Sequence, residues 1–419
     1  MLFKYIKNIS TKVIVLTFTV YFISTLFIIS RAENYEWTVI NNSDVIETNS
    51  QAEGENVDKT AKDELNLECE SAILIEQNSG QVLYEKNMHE QLRPASVTKV
   101  MSILLIFEAL ESGKIKLDDK VPCSENAASM GGSQIWLDTR EELSVNEMLK
   151  AIICVSANDC TVAMAEYMAG SESAFVDKMN ERAKQLGMND TTFKNCHGID
   201  EDGHVTSSYD IALMSRELLT KHPDITNYTT IYMDTLRNGQ SQLVNTNKLV
   251  RNYKGATGLK TGSTSLALFN LSASATRDDL SLIAVIMKAP TSAKRFSEAQ
   301  RVLDYGFKNY EFKQFGKNGD VIGNVTVEKG IEKEVNAMLN GNCGVLLKKG
   351  SENNVVQNVN LPKKISAPVE KGQKIGQVTY TLDGKLLQTV DIISDKEVKK
   401  ESLMNVVSYI YEKWFCLLR

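Results

Sequence analysis

An α+β fold is predicted for the middle of this 419-residue chain, on three observations. Short β-like runs stand near residue 70 and again between residues 258 and 289. The segment between them has the apolar spacing and cap signals of several helices. Strands at both ends with helices between place the terminal strands in one antiparallel sheet. With 42% hydrophobic and 24% charged residues, the chain can bury a substantial core.

Order is expected to begin near Cys69. "SAILIEQNSGQVLYEKN" gives two apolar runs around Asn78-Ser79-Gly80, a hairpin signal. "PASVTKVMSILLIFEAL", residues 94–110, puts Ser96 and Lys99 on the first turn of an almost wholly apolar helix. Ser144 and Glu147 form a capping box for "VNEMLKAIICV", which ends where "SANDC" begins. A second helix runs to about Met168, and a third, "ESAFVDKMNERAKQL", starts after Gly170-Ser171 and closes at Gly187. "GLKTGSTSLALFNLSASATRDDLSLIAVIMKA" reads as two β-runs joined at Arg277-Asp278-Asp279, followed by an amphipathic helix through "SEAQRVLDYGF". From about Gln314 the runs "VIGNVTV", "CGVLLKK", "GQVTYTL" and "LLQTVDII", with a turn at Asp383-Gly384, predict a smaller all-β domain.

The termini read differently. Lys4, Lys7 and Lys12 precede an apolar stretch from Val13 to Ile29 and a small-x-small site at Ser30-Arg31-Ala32, so residues 1–32 are predicted to be a cleaved secretory signal. An uncleaved membrane anchor is the competing reading, because the run is long for a signal and just short of a comfortable span. Residues 33–66 are polar and acidic and are expected to be a disordered linker. At the other end, residues 398–419 project Leu403, Val406, Val407, Ile410, Trp414, Leu417 and Leu418 onto one helical face, an amphipathic membrane anchor rather than a helix docked on protein. The expected division is therefore 1–32 signal, 33–66 linker, 67–313 catalytic domain, 314–397 β-domain and 398–419 anchor.

Several functions are excluded. Four of the 47 Lys and Arg, and none of the 53 Asp and Glu, lie in the first 32 residues, so the remainder carries a formal charge of −10 and nucleic acid is not an expected partner. Seven scattered cysteines without C-x-x-C spacing argue against a zinc site or a disulfide scaffold and read as small buried hydrophobes. Four histidines, none in H-E-x-x-H, call for no metal, and no cofactor is expected.

Three short motifs carry chemistry. A serine hydroxyl becomes a nucleophile when a neighbouring neutral amine takes its proton, and lysine, near pKa ~10.4 in water, is neutral only if burial or a second cation lowers that value. Ser96 and Lys99 have this relation, and S-x-x-K occurs once. Ser156 and Asn158 lie between two predicted helices, where a hydroxyl can relay a proton and an amide can hold a carbonyl. S-x-N also occurs at Ser124, Ser144 and Ser351, so context alone selects Ser156. Lys260-Thr261-Gly262, the one K-T-G, opens a predicted strand and can bind a carboxylate. Sixty residues separate Ser96 from Ser156, and 104 separate Ser156 from Lys260.

In this order the motifs, with "SANDCTVAMAEYMAGSESAFVDKMNERAKQLGMNDTTFKNCHGID" and "GLKTGSTS", resemble the serine-type D-alanyl-D-alanine carboxypeptidases, the low-molecular-weight penicillin-binding proteins of the peptidase S11 type. The resemblance extends from about Cys69 to the C-terminus. It implies a β-lactamase/penicillin-binding transpeptidase-like domain: a five-stranded antiparallel sheet flanked by helices, with the site at its junction with a helical region. It also implies an acylated Ser96 with Lys99 as its base, Ser156 and Lys260 moving the leaving-group proton, and Asn158 on the peptide carbonyl. Thr261 would bind the terminal carboxylate, and Ser96 and Ser263 N–H groups would form the oxyanion hole beside Gly262. Arg295, in "AKRFSEAQRVLDYGF", would assist the carboxylate.

Implied partners are peptidoglycan stem peptides, β-lactams as covalent inhibitors and, through the C-terminal helix, the outer face of the bacterial cytoplasmic membrane. Many relatives have His or Tyr where this chain has Ser263, and Asp where it has Thr257; His197 matches a histidine that reads as structural. A serine β-lactamase is the enzymatic alternative, disfavoured because no E-x-x-x-N lies between Asn158 and Lys260. A non-hydrolysing peptidoglycan-binding scaffold is the other.

Overall fold

The structure is a computed structural model that describes residues 65–351 and 354–402. The expected signal, all but the last two residues of the linker, and the amphipathic segment 403–419 lie outside the described residues. Among the described residues no helix is long and apolar enough to cross a membrane.

The chain opens with the hairpin β1 (Ser71–Glu76) and β2 (Val82–Lys86), and α1 (Lys99–Glu111) follows. Short strands β3 (Lys120–Pro122) and β4 (Glu142–Ser144) pair ahead of α2 (Val145–Cys154), α3 (Asn158–Ala169) and α4 (Glu172–Gln185). The Ser144–Glu147 capping box is formed in both directions. Beyond the predicted helices come α5 (Ser208–Lys221) and a small hairpin of β5 (Met233–Leu236) and β6 (Ser241–Val244). Strands β7 (Ala256–Thr264), β8 (Leu268–Arg277) and β9 (Leu280–Ala289) then lead into α6 (Ser292–Asn309).

Five strands form one antiparallel sheet in the order β2-β1-β9-β8-β7, so the first and last strands of the domain are neighbours, as expected. The segment from Gly258 to Ala289 was expected to give two strands and is a hairpin plus a third. The reversal between β7 and β8 uses no Gly, Asn, Asp or Pro: Ala267 N donates to Thr264 Oγ1 at 2.9 Å, and Leu268 takes a positive φ of 53°. A hydroxyl-based turn of this kind leaves little trace in composition.

Strands β1 and β9 are apolar at successive positions because both sheet faces are covered. Ile73, Ile75, Ile283, Val285 and Met287 enter the core shared with α1 to α5. Ala72, Leu74, Leu282, Ala284 and Ile286 enter the core beneath α6, with Phe296, Ala299, Val302 and Leu303. The same helix ties down the start of order: buried Glu298 accepts from Glu68 N at 2.8 Å and Cys69 N at 3.1 Å. All six described cysteines are free and buried.

The C-terminal part is all-β. Strands β10 (Tyr310–Gly316), β11 (Val321–Glu328), β12 (Glu334–Leu339), β13 (Cys343–Lys348), β14 (Val355–Asn360), β15 (Lys364–Ser366), β16 (Lys374–Leu382) and β17 (Lys385–Ser394) follow. Strands β10 and β13 pair, and the other six form a sheet in the order β14-β16-β17-β12-β11-β15. The predicted turn joins β16 to β17, with Asp383 and Gly384 both at positive φ. β-Bridges continue to Val398 and Lys400.

Glu298→Ala should lower unfolding free energy in urea by about 2 kcal/mol or more, since it strips the acceptor from two backbone N–H groups, one of them buried. An unchanged midpoint would show that this contact does not fasten β1.

Candidate functional site

Ser96 sits one turn earlier than the sequence implied, on a 3-10 turn (Ala95–Thr98) that precedes α1. The turn is pinned from inside: Ala95 has φ 48°, and its carbonyl accepts from Thr98 Oγ1 at 2.8 Å. His204 Nδ1 accepts from Lys194 N at 2.9 Å, so its proton is on Nε2, which donates to Thr98 Oγ1 at 2.8 Å. Burial pulls the His204 pKa down to about 4, keeping this neutral tautomer.

Two glycines let neighbouring backbone close on the turn. A Cβ on Gly198 (φ +93°) would stand 1.9 Å from Ala95 O, and one on Gly262 would stand 2.8 Å from Val97 N and 2.9 Å from Ser96 N. Neither position accepts a side chain.

Lys99, the first residue of α1, is fully buried. Its Nζ lies 2.6 Å from Asn158 Oδ1, 2.7 Å from His197 O and 3.2 Å from Ser96 Oγ. Burial lowers its pKa from 10.5 to about 7, against smaller opposing effects from Cys196, Asp159 and Cys160. In the neutral amine, two hydrogens go to the two carbonyl-type oxygens, which have no proton to offer. The lone pair is left for the third neighbour, the Ser96 hydroxyl. His197 thus contributes a backbone carbonyl, while its buried ring is kept neutral, with a pKa pulled down to about 3 mainly by burial.

Ser156 lies between α2 and α3, as expected, and Asn158 is the first residue of α3. Ser156 takes φ 65°, an uncommon conformation for serine, and its buried Oγ has no hydrogen-bond partner. The Asn158 side chain is fixed at both ends, Oδ1 on Lys99 and Nδ2 donating to Gly131 O at 2.7 Å, and its backbone N donates to Ser133 O at 2.7 Å.

Lys260, Thr261 and Gly262 lie within β7, past its start, and alternate across the strand. Lys260 is buried, and its pKa is driven well below 10.5 by desolvation first and then by the charges of Lys99 and Arg295. Its Nζ donates to Thr261 O at 2.9 Å. Thr261 Oγ1 shares a 2.8 Å hydrogen bond with Thr246 Oγ1, and Ser263 is exposed. Arg295 is buried behind the strand: Nη1 donates to Gly262 O at 3.1 Å and Asn270 O at 3.2 Å, and burial lowers its pKa to about 10. In this geometry it braces β7. Thr257 Oγ1 donates to Ser274 Oγ at 2.8 Å.

The fold therefore brings Ser96, Lys99 and Asn158 into direct contact, and sets the K-T-G strand against the turn that carries Ser96. Sequence reasoning missed Thr98, His204, Gly198 and Thr246; only Gly198, in "CHGID", left a signal. Among the described residues no group of three or more His, Cys, Asp or Glu could hold a metal ion.

Residues 57–291 match the family model described as D-alanyl-D-alanine carboxypeptidase, and residues 310–400 match that of the penicillin-binding protein 5 C-terminal domain. D-alanyl-D-alanine carboxypeptidase DacF of Bacillus subtilis is 43% identical over 355 residues, 84% of this chain and 91% of that protein. DacC of Escherichia coli is 32% identical, covering 83% and 90%. Penicillin binding protein 5 from Haemophilus influenzae superposes with a TM-score of 0.68 at 31% identity, covering 80% of this chain and 98% of that one. PBP3 from Streptococcus pneumoniae gives 0.69 at 26%, covering 80% and 100%.

Gly198→Ala should cost about 2–4 kcal/mol in urea unfolding, because the new methyl must displace the Ala95 carbonyl and occupy a strained φ. A loss under about 0.5 kcal/mol would show that the Ser96 turn yields easily.

Proposed function

The chain belongs to the D-alanyl-D-alanine carboxypeptidase family, and from that premise we propose that it removes the terminal D-Ala from peptidoglycan stem pentapeptides through an acyl-enzyme on Ser96. The observation that carries this reading is the Lys99 amine, buried, with a pKa near 7 and three oxygen neighbours of which only Ser96 Oγ can give it a proton.

Ser96 Oγ attacks the carbonyl carbon of the penultimate D-Ala while its proton passes to Lys99 Nζ. The oxyanion is held by the N–H groups of Ser96 and Ser263, where one such donor is typically worth ~3 kcal/mol. Asn158 holds the carbonyl of the acyl-side peptide; Thr261 binds the terminal carboxylate, with Arg295 supporting it through Gly262 O. As the C–N bond breaks, the proton held by Lys99 is passed by way of Ser156 and Lys260 to the amine of the departing D-Ala, which leaves Lys99 neutral again. The unpartnered Ser156 hydroxyl and the depressed Lys260 pKa suit this relay. Water then hydrolyses the ester by the same route in reverse. A β-lactam would acylate Ser96 in the same way, but its leaving nitrogen stays tethered.

Within the chain, we assign residues 67–313 to catalysis and 314–397 to a separate β-domain. The signal at 1–32 would export the chain ahead of the linker at 33–66, and the anchor assigned to 398–419, its helix starting past the β-bridges at Val398 and Lys400, would hold the enzyme at the outer face of the cytoplasmic membrane.

Intact mass after benzylpenicillin treatment should show one adduct mapping to Ser96, and Ser96→Ala should form no adduct and release no D-Ala from a pentapeptide. An adduct elsewhere in folded protein would refute the assignment. Since only the neutral Lys99 amine can act as the base, the acylation rate constant should rise about tenfold per pH unit below 7 and level off above it. A profile flat from pH 5 to 8 would remove Lys99 from that role.

A further inference from the structure

Trp136 is a large apolar side chain held out in solvent by a rigid frame. It is 76% exposed and takes φ 56°, a conformation unfavourable for a bulky residue. The frame grips the backbone on both sides. Asp159 Oδ2 accepts from Ile135 N at 3.0 Å and Leu137 N at 3.1 Å, while Arg237 donates to Ile135 O at 2.9 Å and Trp136 O at 3.4 Å. Arg237 is in turn tied to Glu141. The ring is also placed: with the Gln134 amide oxygen facing it, Trp136 Nε1 lies 3.3 Å from that oxygen, and the Gln134 nitrogen donates to Met130 O at 2.8 Å.

This frame is continuous with the candidate site. The same loop supplies Gly131 O and Ser133 O to Asn158, and Asp159 is the residue that follows Asn158 on α3. A peptide held by Asn158 would be held beside the loop that also displays the indole. Under the roles proposed above, Asn158 faces the acyl side of the scissile bond and Thr261 the leaving side, so the indole belongs to the acyl side.

On that reading of the site, we propose that Trp136 is a specificity-determining residue that packs on the side chain preceding the D-Ala-D-Ala pair. That position in a stem peptide is a diamino acid. Its methylenes suit the apolar ring face, and its terminal ammonium suits the ring quadrupole.

The test compares kcat and KM for N-acylated L-Lys-D-Ala-D-Ala and L-Ala-D-Ala-D-Ala on wild type, Trp136→Ala and Trp136→Phe. Trp136→Ala should lower kcat/KM for the lysine donor about five- to tenfold, mostly through KM. It should change the alanine donor less than about twofold and leave benzylpenicillin acylation intact, and Trp136→Phe should restore most of the loss. Equal losses on both donors, or none, would overturn the proposal. In Ser96→Ala, the lysine donor should change indole emission, and the added Trp136→Phe substitution should abolish that change; silence would also overturn it. Failure of wild type to release D-Ala from either donor would instead sink the carboxypeptidase mechanism, and the emission titration would still decide on Trp136.

Discussion

The desolvation of one ammonium group is the constraint on which the site depends. Lys99 is surrounded by protein, and the apolar body of α1 continues behind it through Val100, Met101, Ile103, Leu104 and Ile106, all buried. A helix with a single apolar stripe would leave Lys99 hydrated and its amine protonated at neutral pH. Because the Lys99 end of α1 is enclosed among α3, α4, α5 and β7, the charge has no water to return to. What remains near the nitrogen is three oxygens, and the lone pair is directed by elimination. Core packing and the placing of that lone pair are here one arrangement seen from two sides.

That arrangement requires backbone, rather than side chains, to close the remaining space. The Ser96 turn is wedged between the Gly198 loop and the Gly262 segment of β7, each at a separation that excludes even a methyl group. Strand β7 can approach because Arg295, from the opposite face of the sheet, holds the Gly262 and Asn270 carbonyls. Asn270 also donates to Arg93 O at 2.8 Å, just before the turn. The Ser96 turn is therefore fastened to β8 and β7 together, and α6, which carries Arg295, is the same helix that anchors the start of β1 through Glu298. The two-sided burial of the central strands gives these contacts a fixed frame.

Much of this was legible in the sequence because it rests on local chemistry. The capping box at Ser144, the hairpin at Ser79-Gly80, the turn at Asp383-Gly384 and the three motifs all announce themselves through residue type and spacing. The parts that were not legible depend on contacts distant in sequence. Thr98 looks like any helix-start threonine until His204, over a hundred residues away, is found on its hydroxyl. Arg295 reads as a carboxylate ligand by resemblance, yet its burial against β7 follows from the sheet order. Strands β14 and β15 are largely polar or short and bury no alternating face, so periodicity does not reveal them, whereas β12 does alternate, burying Val335, Ala337 and Leu339, but Asn336 and the small Ala337 dilute its β signal. The 3-10 geometry at Ser96 is likewise imposed from outside, by the Gly198 and Gly262 backbones.

The site works against folding. A lysine whose folded pKa is near 7 and whose unfolded value is 10.5 binds its proton more tightly in the unfolded chain. The penalty is complete below pH 7, where it is of order several kcal/mol, and fades as pH rises towards 10.5. Lys260 and Arg295 carry penalties of the same sign, and at Lys260 the other two cations add to the desolvation. Ser156, strained and without a partner for its hydroxyl, adds another. Two hydrophobic cores packed on opposite faces of one sheet supply the opposing free energy.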